Sequence, residues 1–240
     1  MTAEEISARI IKRIDDDPTS PGSVTPDPSG HPVPPEVLAA INEGQELASL
    51  LTLCIETTAT FTLPASTPFN SMRSNFTDFL VPLRMMAGGV RIRPATLADL
   101  DAENENWQQV AGPPSRYFTL GFNFWGVTPQ PAVDTTVTLT YAAAPTQLVF
   151  DDFPQLPEEY HQSLVKYGIY RVKLKEGAQG LQRGLTYLND FLDDMDRLGS
   201  FVRARSAAAR YDVLPFELRL MDRSRLIDNI VKEQSQWGTK

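Results

Sequence analysis

The chain is 240 residues long, with 42% hydrophobic residues and a formal net charge of −8. That apolar content supports a sizeable core and excludes wholesale disorder. The acidic balance argues against a protein that grips nucleic acid by neutralising phosphates, and is compatible with DNA that slides past without sticking.

Nineteen prolines are many for a mainly helical protein, because proline lacks the backbone donor and blocks helix interiors. They concentrate in Pro18–Pro35 and Pro113–Pro157, which predicts helical ends around a middle of strands and turns. Cys54 is the single cysteine, so no internal disulfide is possible; within an apolar run it reads as a small buried hydrophobe. Met1–Asp17 is charged and amphipathic, so no leader peptide is expected there, and no apolar run reaches the ~20 residues of a membrane helix. The expected compartment is a reducing cytosol, where the sequon at Asn75 carries no meaning.

In chain order, Thr2–Ile14 predicts an amphipathic helix, with Ile6, Ile10, Ile11 and Ile14 on one side and a capping box from Thr2 to Glu5. Asp15–Pro35 is too rich in Pro, Ser, Gly and Asp for regular structure and predicts an exposed loop. Pro35 suits a first helical position, and a helix to about Thr57 follows. Its buried stripe is Val37, Ile41, Gly44, Ala48, Leu51 and Ile55, with Asn42, Glu43, Gln45, Glu46 and Ser49 on the opposite side. A glycine within the stripe predicts close approach of a second helix.

From Thr58 the period becomes two, with Ala59, Phe61 and Leu63 alternating with threonines. Further strands are predicted at Phe79–Arg84, Val90–Arg93, Tyr117–Phe124 and Thr135–Tyr141, with a short helix from Thr96 to about Glu103 between them. The middle third reads as a small β-sandwich or barrel-like sheet. Helical spacing returns at Pro157–Glu176, which buries either Tyr160, Leu164, Tyr167 and Leu174 or the adjacent Val165, Ile169 and Val172. A longer helix, Ala178–Tyr211, carries a heptad-like seam of Leu181, Leu185, Leu188, Leu192, Met195 and Val202, with Gly199 in register.

These elements predict an α+β protein. Residues 1–57 (with the exposed loop 18–35) and 157–211 form a helical bundle, 58–156 an inserted β-rich, sandwich-like domain, and 212–240 an extended C-terminal arm. The arm begins with Pro215, continues with Phe216, Leu218, Leu220 and Met221 alternating with charges, then Leu226, Ile227, Ile230 and Val231, and Trp237 near the end. Apolar residues left over beyond a complete domain suit an arm that docks on a partner.

Groups that carry chemistry are sparse. His31 and His161 are the only histidines, and they form neither a zinc set nor a Cys–His dyad with Cys54. No phosphate-cradling glycine loop and no nucleophile elbow occurs. Asp190, Asp193, Asp194 and Asp196 form an acidic patch that reads as a solvated helix face, and Glu103 with Glu105 is a weak candidate for paired acids. No catalytic residue, metal ligand or cofactor is expected. Basic residues gather later, at Arg197, Arg203, Arg205 and Arg210 and then Arg219, Arg223 and Arg225. This order, acidic then basic along one helix, suits head-to-tail contacts between identical subunits, with Asp190, Asp193 and Asp194 facing Arg203, Arg205 and Arg210.

The runs Ile41–Leu47 and Leu53–Thr58, Pro82–Arg84, Arg93–Asp101, Trp107 with Gly112–Tyr117, Leu156–His161, Val202–Ser206 and Arg210–Asp212 together resemble the head-to-tail adaptors of tailed bacteriophages. The resemblance extends from about Val37 through most of the chain. It implies a structural virion protein made in the host cytoplasm and located in the neck between capsid and tail. Its copies, usually twelve in this family, would form a ring with genomic DNA in the lumen. The portal would contact the C-terminal arm, and a tail or nozzle protein the opposite side. The alternatives are a tail-tube or nozzle component and, in a different class, a virion-associated peptidoglycan-degrading enzyme.

Overall fold

The computed structural model describes residues 1–15, 34–67, 69–71, 76–120 and 124–212. The described chain divides into two compact units. The first comprises residues up to 54 and 145–202, the second 55–144 and 203–212. The fold class is mixed α+β.

The first unit is helical. Helix α1 (Ala3–Asp15) opens on the predicted capping box: the Thr2 backbone N–H donates to Glu5 Oε2 at 3.1 Å, and the Glu5 N–H to Thr2 Oγ1 at 3.2 Å. Ile6, Ile10 and Ile14 recur one turn apart and are fully buried, each stabilising the fold by roughly 2 kcal/mol. Helix α2 (Pro35–Thr52) has proline in its first turn and ends at Leu53, which adopts a left-handed conformation with φ +53° and returns its N–H to the Ser49 carbonyl. The helix therefore stops five residues before the predicted Thr57, and Cys54 lies half-buried beyond it, packed against the helical core.

Helix α4 (His161–Lys173) buries residues of both candidate stripes, while Tyr160 and Leu174 at its ends are half-buried. Leu164 and Tyr167 on one side and Val165, Ile169 and Val172 on the other are all buried, because α4 packs against both α1 and α2. Its Gly168 lies so close to Ile10 of α1 that an added β-carbon would sit 2.3 Å from Ile10 Cδ1. A 3₁₀ turn at Leu174–Glu176 separates α4 from α5 (Gly177–Ala208), whose buried Leu188, Leu192, Met195 and Val202 follow the predicted seam.

The second unit is built on a seven-stranded sheet in the order β1-β7-β3-β4-β5-β6-β2. Its strands are β1 (Glu56–Leu63), β2 (Phe69–Ser71), β3 (Phe79–Ala87), β4 (Val90–Pro94), β5 (Arg116–Leu120), β6 (Phe124–Thr128) and β7 (Thr135–Ala143). One expectation is corrected here: Tyr117–Phe124 is not one strand, since β5 and β6 pair antiparallel through Arg116–Thr128 to Leu120–Phe124. The sequence is apolar both before residue 121 and after residue 123, which hid the division into two strands.

The strands form one continuous order in which β4 pairs antiparallel with β3 and parallel with β5. The sheet curls, and Phe61 of β1 meets Trp125 of β6 edge to face at 5.4 Å. Leu63, Met85, Ile92, Tyr117, Trp125, Val127, Val137 and Leu139 share the resulting core. Between β4 and β5, α3 (Leu97–Glu103) is capped by Thr96, whose hydroxyl accepts the Asp99 N–H at 3.1 Å. The Thr96 hydroxyl and then its backbone N–H donate in return to the Asp99 carboxylate and hold its pKa below the ordinary value. Trp107 donates to Asp101 Oδ1 at 2.8 Å and stacks edge-on against Phe118, closing a small core with Leu100.

Candidate functional site

The groups that carry chemistry are used for structure. His161 is buried; its Nε2 lies 3.0 Å from the Leu156 carbonyl and its Nδ1 3.0 Å from the Met1 amine. Only a proton on Nε2 satisfies the carbonyl, which leaves Nδ1 as acceptor. His31 lies outside the described residues. Among the described residues no three His, Cys, Asp or Glu side chains converge as a metal site, and no helix is long and apolar enough to cross a membrane. Glu103 takes a guanidinium hydrogen bond from Arg116 at 2.6 Å, and Glu105 is exposed in the turn after α3.

The helical charges fall into two sets. Asp194 does not stand on a solvated face as expected. Its Oδ2 accepts from the Ser163 hydroxyl at 2.8 Å and from Lys166 Nζ at 2.5 Å, tying α5 to α4. The seam turns this aspartate inward because α4 is packed beside it. Asp190 and Asp193 are exposed. Arg205 is paired with Glu56, which also accepts from Tyr211 Oη at 2.7 Å. Burial and that bond raise the Tyr211 pKa. Arg210 is exposed and takes φ +55° at the end of α5. The predicted arm residues Phe216, Leu218, Leu220, Met221, Leu226, Ile227, Ile230, Val231 and Trp237 lie outside the described residues.

The second unit carries a groove of about 860 Å³ whose wall includes Arg91, Arg93, Arg116, Pro113, Val90 and Val133. Its floor follows from strand geometry. Gly88 and Gly89, at φ +55° and +80°, make the two-residue turn between β3 and β4, a conformation that glycine alone adopts without strain. Ala87 and Val90 flank it as a hydrogen-bonded pair, so ladder alternation points the N–H and C=O of Arg91 away from β3. β5 covers β4 only at Arg93 and Pro94. The edge at Arg91 is therefore open to the groove.

Three arginines stand here in a chain of net charge −8. Arg91 pairs with Asp212, whose carboxylate also accepts from Tyr117 Oη at 3.2 Å; burial first, and this carboxylate second, raise the Tyr117 pKa well above the phenol range. Arg116 is held by Glu103, and Arg93 has no side-chain partner among the described residues. Neither this groove nor its arginines stood out in the sequence. The Gly-Gly turn marked a hairpin, yet Arg93 and Arg116 are far apart along the chain and meet only through the parallel β4–β5 pairing.

A family model described as SU10 adaptor protein matches residues 1–214. No curated protein matches the chain.

Proposed function

From the premise that the chain belongs to the SU10 adaptor protein family, a family of phage head-to-tail adaptors, we propose that its copies form a ring between portal and tail through which the genome passes. Its role as a structural adaptor of the virion follows from the family itself. The single observation that carries the finer reading is the span of the match, which takes in both units rather than one.

Chemistry supports this assignment over the virion-associated lytic enzyme. Of the acids suggested for such an enzyme Glu103 is paired with Arg116, and the described histidine is a structural ligand of backbone and terminus. An acidic net charge suits passage of DNA without specific binding. The portal is the proposed partner of the arm beyond Leu214, a segment that also lies beyond the family match. Within the subunit strip proposed along α5, Asp194 and Arg205 are already bonded inside the chain, which leaves the exposed Asp190 and Arg210 the better placed for a neighbour.

Mixing the purified protein with portal and imaging by electron microscopy tests the reading. Comigration and a collar of added density are expected; an unchanged portal overturns it. Binding to isolated tails but not to portal would favour the tail-tube or nozzle alternative.

A further inference from the structure

Residues 144–157 carry no regular secondary structure apart from turns, yet the segment is tightly held. Asn42 of α2 grips Leu148 with both ends of its amide, donating to the carbonyl at 3.2 Å and accepting the N–H at 2.7 Å. Gln45 does the same further along, donating to the Thr146 carbonyl at 3.1 Å and accepting from the Gln155 N–H at 2.8 Å. The first turn of α1 adds two bonds, from the N–H groups of Ala3 and Glu4 to the carbonyls of Asp152 and Phe150, both at 2.9 Å. Six hydrogen bonds thus fix a short loop before anything binds it, and preorganisation lowers the ordering entropy that an interface must overcome.

This rigid loop presents apolar side chains to solvent. Val149 is 58% exposed and Phe153 67%. Two large apolar groups exposed within five residues of a held loop suit an interaction surface. Beside them Asp152 is occupied by the Val149 N–H at 2.9 Å, whereas Asp151 is exposed and has no side-chain partner among the described residues.

The groove of the second unit has the complementary pattern. Val90 and Val133, exposed by 67% and 70%, line it together with Arg93, which has no carboxylate partner among the described residues, and Arg91 offers an open strand edge. A volume of about 860 Å³ accommodates a phenylalanine side chain with its neighbours. We infer that the Val149–Phe153 loop of one copy docks in the β4–β5 groove of a second copy, with Asp151 on Arg93 and Phe153 against Val90 and Val133. Loop and groove are different surfaces, so the contact is heterologous, and the pair keeps one free groove on the first copy and one free loop on the second for further copies. The inference needs only a second copy of the chain. Its failure leaves portal binding standing, and absence of portal binding leaves it standing.

Carbodiimide coupling of the full-length Arg93→Lys protein at high concentration is the direct test, because the reagent joins an amine to a carboxylate only at ion-pair distance. A bond between position 93 and Asp151 in the dimer band is expected. The Lys166–Asp194 pair, 2.5 Å apart within one chain, is the internal control. Formation of the control bond alone overturns the inference. So does coupling of position 93 inside the monomer band, which makes the occupant a segment of the same chain, or coupling only to another virion protein in assembled particles. A charge exchange gives a second measurement. Arg93→Asp and Asp151→Arg, each checked for folding by circular dichroism, should each weaken self-association about tenfold by sedimentation, which corresponds to about 1.4 kcal/mol. Mixing the two variants should restore it, since each then finds its opposite charge; a mixture no better than either alone overturns the pairing.

Discussion

Gly44 of α2 faces the ring of Tyr167 of α4 so closely that a β-carbon on Gly44 would lie 2.8 Å from Cδ1 and 3.1 Å from Cγ. The neighbouring residue fixes the ring from the other end: Glu43 accepts the Tyr167 hydroxyl at 2.8 Å and the Arg171 Nε–H at 2.9 Å. A ring held by its hydroxyl and packed against Tyr170 and Phe191 has no free direction in which to yield.

Gly44→Ala should therefore destabilise the protein. Overpacking costs about 1–3 kcal/mol, and the better helix propensity of alanine returns about 1 kcal/mol. Chemical denaturation should register a net loss of up to about 2 kcal/mol. Stability equal to or above that of the parent would show that the helices separate freely.

Asp194 and Asp190 lie one turn apart on α5 and should behave differently. Asp194→Ala removes the acceptor of both Ser163 and Lys166 and should cost about 1–3 kcal/mol. Asp190→Ala touches an exposed side chain and should stay within about 0.5 kcal/mol of the parent. Thermal melts of the two variants side by side distinguish them.

Arg210 holds φ +55° at the end of α5, where the Tyr211 N–H reaches back to the Ser206 carbonyl at 3.0 Å. Glycine meets this conformation without a β-carbon clash. Arg210→Gly should raise stability by up to about 1 kcal/mol, read as a higher denaturation midpoint. A lower midpoint would mean that the arginine side chain outweighs the backbone relief.

Tyr141 is pushed up from 10.0 to about 12, first by burial and then by its hydrogen bond to Asp78 at 3.0 Å. Burial likewise raises Tyr117 and Tyr167. A raised pKa means that the folded chain holds these phenol protons more tightly than the unfolded chain. Their contribution is full below pH 10, and it declines as the pH rises from 10 toward 12. Unfolding measured across this window should show a steep loss of stability, and Tyr141→Phe should make the loss shallower. An unchanged slope would place the alkaline weakness elsewhere.

Periodicity carried much of the secondary structure. The isoleucines of α1, the threonine alternation of β1 and β7, the leucine seam of α5 and the Thr96 cap are local patterns, and local patterns are what a linear sequence displays. Other errors fell where a residue's neighbour comes from elsewhere. Gln45 and Ser49, assigned to the solvent side of α2, are fully buried. Gln45 serves a loop about 100 residues away, and a buried amide with satisfied bonds looks in sequence like an exposed one.

The sequence by itself determined the main helices and most of the strands, the sparseness of catalytic groups and the likeness to the adaptors, because composition, period and motif order need no third dimension. Only the tertiary structure decided which charges remain available. Asp194 and Arg205 are consumed by Lys166 and Glu56, whereas Arg93 and Asp151 keep no partner among the described residues. Pairing of charges depends on distance in space, and parallel β4–β5 pairing and helix packing set those distances between residues that the chain keeps apart.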